Sequence, residues 1–143
     1  MEKVFRRSHV VCVNDAEAHM FTGKSTLPKA AQDLLKLGPK RVIIKLGGYG
    51  VQLYGRDSFF ALPALPLTDV KDPTGAGDTF AGGFIGRLTR APRLNDLAYR
   101  EALAVGTVMA SFCVQDFSCR ATAALSRLEI RHQLRNLRAL TRY

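Results

Sequence analysis

Two short runs, VVCV (10–13) and VIIKL (42–46), limit this chain's fold more than any other feature. Each is strand-sized, apolar at consecutive positions and rich in β-branched residues, so SHVVCVN (8–14) reads as a buried strand and RVIIKL (41–46) as a central one. The segments between them have helical character. DAEAHMFTG (15–23) reads as a short helix closed by Gly23. LPKAAQDLLKLG (27–38) carries apolar residues at helical spacing, with Ser25 or Thr26 as N-cap, Pro28 in the first turn and Gly38 as the stop. After the GGYG turn (47–50), VQLYG (51–55) and SFFALP (58–63) read as a hairpin joined by Arg56-Asp57, and LTDVK (67–71) as a further short strand. Helical segments follow at 79–90, 94–115 and about 126–141. Strands alternating with helices and then a helical C-terminus indicate an α/β layered fold with a largely parallel sheet.

The composition excludes several classes. In 143 residues, 47% hydrophobic and 23% charged content is that of a chain with a packed core, not of a disordered one. No apolar run approaches a membrane span, and MEKVFRRSHV has no apolar leader segment, so a cytoplasmic protein with no membrane partner is expected. Cys12, Cys113 and Cys119 fit no zinc spacing and read as reduced, buried or half-buried thiols. The net charge of +9 draws on Arg120, Arg127, Arg131, Arg135, Arg138 and Arg142, set around an apolar stripe of Leu128, Leu134, Leu137 and Leu140. That pattern is the solvated face of an amphipathic helix. No aromatic residue interleaves with it, so no nucleic-acid partner is expected, although the charge favours anionic ligands such as nucleotides.

Chemistry concentrates in DPTGAGDTFAGG (72–83). Gly75 and Gly77 leave backbone amides bare, and the helix that follows presents unpaired N–H groups and the positive end of its dipole, a setting for an anion. Asp78 at the helix start is either a cap or a base held beside the anion. Gly82, Gly83 and Gly86 each weaken a helix by roughly 1 kcal/mol against Ala, so close approach of a sheet or a ligand is expected there. Two lookalikes fail: Gly23-Lys24-Ser25 lacks the P-loop's leading glycine, because Ala18 stands there, and Gly75-Ala76-Gly77 meets Phe80 where a dinucleotide fingerprint needs its third glycine.

Residues 72–80 resemble, without a break, the D-[TP]-T-G-A-G-D-x-F signature of the ribokinase-like (PfkB-type) carbohydrate kinases. VNDAEAHMFTG (13–23) is similar to that family's N-x-x-E segment, and VIIKLGGYGVQLY (42–54) to its strand–K-x-G-x-x-G–strand segment. The resemblance implies a ribokinase-like three-layer α/β/α fold, of which residues 1–143 are the C-terminal, nucleotide-binding and catalytic part. It implies Asp78 as general base, the amides of Gly75, Ala76 and Gly77 as anion hole, and transfer of the ATP γ-phosphate to a sugar or nucleoside hydroxyl. Lys45, Gly47 and Gly50 match the nucleotide side, and Asn14 and Glu17 a water-mediated Mg²⁺–phosphate network. Asp72 and Thr74 match a K⁺ site found in many members, with further carbonyl ligands around residues 110–118. The family fold is about twice this length, and the half that holds the lid and the acceptor site is not in this sequence. The isolated chain is therefore expected to be inactive and to self-associate or need its missing N-terminal half. The alternative is a non-catalytic nucleotide-binding or interaction module that works with a partner chain.

Overall fold

The computed structural model describes residues 2–117 and 120–142, with the side chains of Arg120 and Ala121 left aside. Ser118 and Cys119, the latter among the thiols singled out above, lie outside the described residues. The chain divides into two compact units, Met1–Ala61 and Leu62–Tyr143.

The first unit holds α1 (Glu2–Phe5), β1 (Val10–Asn14), α2 (Asp15–Thr22), α3 (Leu27–Lys36), β2 (Arg41–Lys45), a 3₁₀ turn (Gly47–Tyr49), β3 (Val51–Tyr54) and β4 (Phe59–Leu62), whose last residue crosses the boundary. The sheet order is β1-β2-β3-β4. β1 and β2 run parallel, with Val11 beside Val42 and Val13 beside Ile44. A parallel pair needs a crossover, and α2 and α3 supply it. β3 returns antiparallel to β2, so the sheet is mixed and its parallel character rests on one pair. The hairpin expected from the sequence is present: Gly55 N–H donates to Ser58 O at 2.8 Å, with Arg56 and Asp57 at the tip.

Val11, Val13, Val42 and Ile44 project from one face of the sheet into a core with Ala18, Ala30, Ala31 and Leu34. The alanines, all fully buried, let the crossover helices lie close to the strands. Cys12 occupies the other face, in one row with Ile43 and Leu53. Cys12 is exposed, against the buried thiol expected, because its strand is the edge of the sheet among the described residues.

The second unit opens with coil and continues into α4 (Ala76–Leu88), α5 (Asp96–Cys113), α6 (Arg120–Ala123) and α7 (Arg127–Leu140). Residues 67–71 are not a strand. Their chain end bonds to a helix terminus instead, with the N–H groups of Lys71 and Asp72 donating to Val114 O at 2.8 and 3.3 Å. α4 and α5 pack together through glycines. A Cβ on Gly83 would stand 2.8 Å from Met109 Cγ, and one on Gly106 would stand 2.9 Å from Phe80 O. The close neighbour at Gly83 is therefore another helix, not the sheet or ligand expected, while Gly82 and Gly86 face open space and nothing in the structure explains them. Phe80 stacks on Phe84 and Phe84 on Tyr99, and Arg87 pairs with Glu101.

α7 starts at a reciprocal capping box between Ser126 and Glu129 and packs on α5, with Leu137 buried. The expected four-leucine stripe is wrong at its ends. Leu128 is 72% and Leu140 48% exposed, and at 3.6 residues per turn Leu128 lies about half a turn around from Leu137. Ile130, half-buried, takes its place.

Candidate active site

In the second unit the loop from Asp72 to Asp78 is built by short-range bonds. Asp72 Oδ1 accepts from Thr74 N–H at 2.9 Å, closing a tight turn ahead of the helix. Hydrogen bonds from the Thr74 side chain, and then from its backbone, hold the Asp72 carboxyl below the ordinary aspartate value of 3.8. Thr74 O in turn accepts from the buried Cys113 thiol at 3.7 Å. With the bonds to Val114 O, this fixes the loop to the C-terminal end of α5, inside the 110–118 stretch implicated above; Ser118 of that stretch lies outside the described residues.

Gly75 is the N-cap of α4 at φ 80°, ψ −4°, a left-handed conformation that only glycine adopts readily. It has no side chain to cap the helix, and this has a chemical consequence. Ala76 N–H donates to Pro73 O at 3.2 Å, and Thr79 N–H to Gly75 O at 2.9 Å. The N–H groups of Gly75, Gly77 and Asp78 have no acceptor among the described residues. Three unpaired donors at the positive end of a 13-residue helix form a backbone cradle for an anion. The cradle differs from the expected one by one residue, because the Ala76 N–H is engaged within the loop.

Asp78 follows in the first turn. Its side chain is exposed and makes no hydrogen bond among the described residues. Of its two possible roles, the cap is absent: a carboxylate stands free beside the open amides.

The first unit positions the remaining predicted residues at the C-terminal ends of its parallel strands. Asn14, the last residue of β1, sits in register with Lys45, the last of β2. Asn14 Oδ1 accepts from Glu17 N–H at 2.7 Å, and Glu17 Oε2 accepts from Asn14 N–H at 2.8 Å, a capping box that starts α2. The i, i+3 pair singled out in the sequence thus has a structural duty, which leaves the Asn14 amide nitrogen and Glu17 Oε1 without hydrogen bonds among the described residues. Beyond Lys45 the chain makes the 3₁₀ turn, with Gly47 at φ 56° and Gly50 at φ 110°. Leu46 N–H donates to Gly50 O at 2.8 Å across its base. Both glycines are conformational requirements. No group of three or more His, Cys, Asp or Glu side chains converges as a metal site among the described residues, and among them no helix is long and apolar enough to cross a membrane.

Sequence reasoning implicated 110–118 only as a source of cation ligands and missed its anchoring of the loop. Cys113 and Val114 anchor the loop, and Gly106 admits the helix that follows it; a lone glycine in the middle of an 18-residue helix was the available signal.

Comparisons with known proteins bear on the family and the fold. Residues 1–125 match the family described as pfkB family carbohydrate kinase. The cytidine kinase of Thermococcus kodakarensis is 39% identical over 98 residues, covering 67% of this chain and 35% of that protein. A solved ribokinase from Thermotoga maritima superposes with a TM-score of 0.80 at 30% identity, covering 95% of this chain and 45% of that one. An aminoimidazole riboside kinase from Salmonella enterica, complexed with aminoimidazole riboside and an ATP analog, gives a TM-score of 0.81 at 28% identity, with 93% and 44% covered. The chain spans less than half the length of each of these relatives.

Proposed function

Because this chain belongs to the pfkB family of carbohydrate kinases, with the ribokinase-like fold of its structural neighbours, we propose that it is the nucleotide-binding and catalytic part of an ATP-dependent sugar or nucleoside kinase. One observation carries the reading: the left-handed Gly75 opens three unpaired amides at a helix start, directly beside an uncapped, unpaired Asp78.

The amides of Gly75, Gly77 and Asp78 would hold the phosphoryl group as negative charge develops on its oxygens, a preorganised donor set that needs no rearrangement during reaction. Asp78 would accept the proton of the acceptor hydroxyl while that oxygen bonds to the γ-phosphorus and the bond to the ADP oxygen breaks. Lys45 and the 47–50 turn are assigned to the nucleotide side. The free Glu17 oxygen suits a water-mediated Mg²⁺, which neutralises phosphate charge when bound. Asp72 and Thr74 are assigned to a monovalent cation; the depressed carboxyl of Asp72 keeps it ionised for that purpose. A hydroxyl of a sugar or nucleoside is the acceptor class, in keeping with the relatives, and the protein acts in the cytoplasm.

Calorimetric titration with Mg-ATP tests this. Binding is expected for the wild type and for Asp78→Asn, and is expected to vanish in Gly77→Asp, which places a carboxylate against the open amides. In the presence of the N-terminal half that carries the acceptor site, Asp78→Asn is expected to lower transfer by about 10²- to 10⁴-fold. Undiminished ATP binding by Gly77→Asp would sink the anion-cradle assignment.

A further inference from the structure

Four arginines of the C-terminal helix, Arg127, Arg131, Arg135 and Arg138, and Arg142 just past its end, are all exposed. At 100° per residue the four helical ones fall within an arc of about 80°, a row about 16 Å long. Among the described residues none of the five pairs with a carboxylate. The one acidic residue of the helix, Glu129, is bound to Ser126 and lies around the helix from the row. The helix's apolar side is already used, with Leu137 buried and α7 packed on α5. The row also belongs to a part of the chain outside the 1–125 family match.

We propose that this face of α7 is a binding surface for the phosphate backbone of duplex nucleic acid. The chemistry favours that partner over others. All the cations are arginines, whose forked donors suit phosphate oxygens. A protein partner would need an aromatic or broad apolar centre; one flank of the row is Ala139, His132 and Asn136, with Leu128 at one end, and the other is the half-buried Leu134. Insertion into a membrane would need the apolar side that α5 covers. The lack of aromatics, which argued against an RNA-binding pattern, bears on base stacking alone; contacts to a duplex backbone need none. The surface is therefore sequence-indifferent.

Fluorescence anisotropy of the full chain with a labelled 30-base-pair duplex tests the proposal. If the five arginines each meet a phosphate, log affinity falls against log salt with a slope of about −4.5, a loss of about 500-fold between 50 and 200 mM. The variant R131Q/R135Q/R138Q should reduce the slope to about −2, and Arg135→Gln alone should reduce it by about one unit. Removing the same charge elsewhere, with K3Q/K29Q/K40Q, should leave the slope unchanged. The proposal is overturned by absence of duplex binding at 50 mM salt, or by an equal loss in the lysine control. Tighter binding to polyglutamate or to phosphatidylserine vesicles than to the duplex would overturn it too, in favour of an acidic protein or a membrane.

Discussion

Replacing Gly106 by alanine sets two known effects against each other. Alanine in a helix interior gains about 1 kcal/mol over glycine. At position 106 the added Cβ would stand 2.9 Å from Phe80 O and 3.0 Å from two carbons of the Phe80 ring. That is roughly half an ångström inside ordinary contact, and the oxygen is backbone, so α4 and α5 must separate. Overpacking of this kind costs about 1–3 kcal/mol, which leaves Gly106→Ala between neutral and about 2 kcal/mol destabilised. Gly82 is the control, since it sits in α4 with nothing within 4 Å of its Cβ position. Gly82→Ala should show the helical gain alone, about 1 kcal/mol of stabilisation. The propensity effect is common to both variants, so the gap of about 1–3 kcal/mol between them isolates the helix contact. Urea unfolding followed by circular dichroism at 222 nm reads both. A Gly106→Ala midpoint at or above that of Gly82→Ala would refute the claim that this glycine exists to admit α4.

Two other outcomes follow from the caps and the loop. Asn95 accepts from Ala98 N–H at 2.9 Å at the start of α5, so Asn95→Ala should cost about 1 kcal/mol in the same assay while Asn95→Asp stays near wild type. The Asp72 carboxyl titrates below 3.8 in the folded chain, so its stabilising effect is present above that value and is lost as pH falls through the folded one. Stability measured from pH 6 down to pH 2 should fall more steeply for wild type than for Asp72→Asn; parallel curves would dismiss the Thr74 hydrogen bonds as its cause.

The sequence was most legible where punctuation and periodicity agreed. Gly23 closes α2 as read, and its φ of 65° is what a left-handed C-cap demands. The β-branched runs marked β1 and β2 because burial on consecutive positions leaves few other choices. Legibility failed where a segment's partner was distant. The extended look of residues 67–71 was real, yet their backbone bonds go to Val114, which no local pattern announces. Leu128 counted as apolar stripe because spacing by threes and fours drifts around a helix over several turns. In the candidate site, the glycine-rich turn and an acidic residue at the following helix start were visible in the sequence, while the absence of a cap at Asp78 was not. The engagement of Ala76 N–H by Pro73, and the capping duty of Asn14 and Glu17, needed the folded backbone.

The thiol beside the 72–78 loop has a use beyond packing. Cys113 Sγ donates to Thr74 O and is 3.9 Å from the Cβ position of Gly75, and the side chain is 3% exposed. An alkylating reagent can reach that sulfur only after the loop lifts from the end of α5, whereas Cys12 is exposed in the folded chain, though partial burial raises its thiol's pKa. The reaction rate of Cys113 is thus a clock for loop opening, written into the chain without a label. Slowing of that clock by added phosphate would report binding at the 72–78 loop.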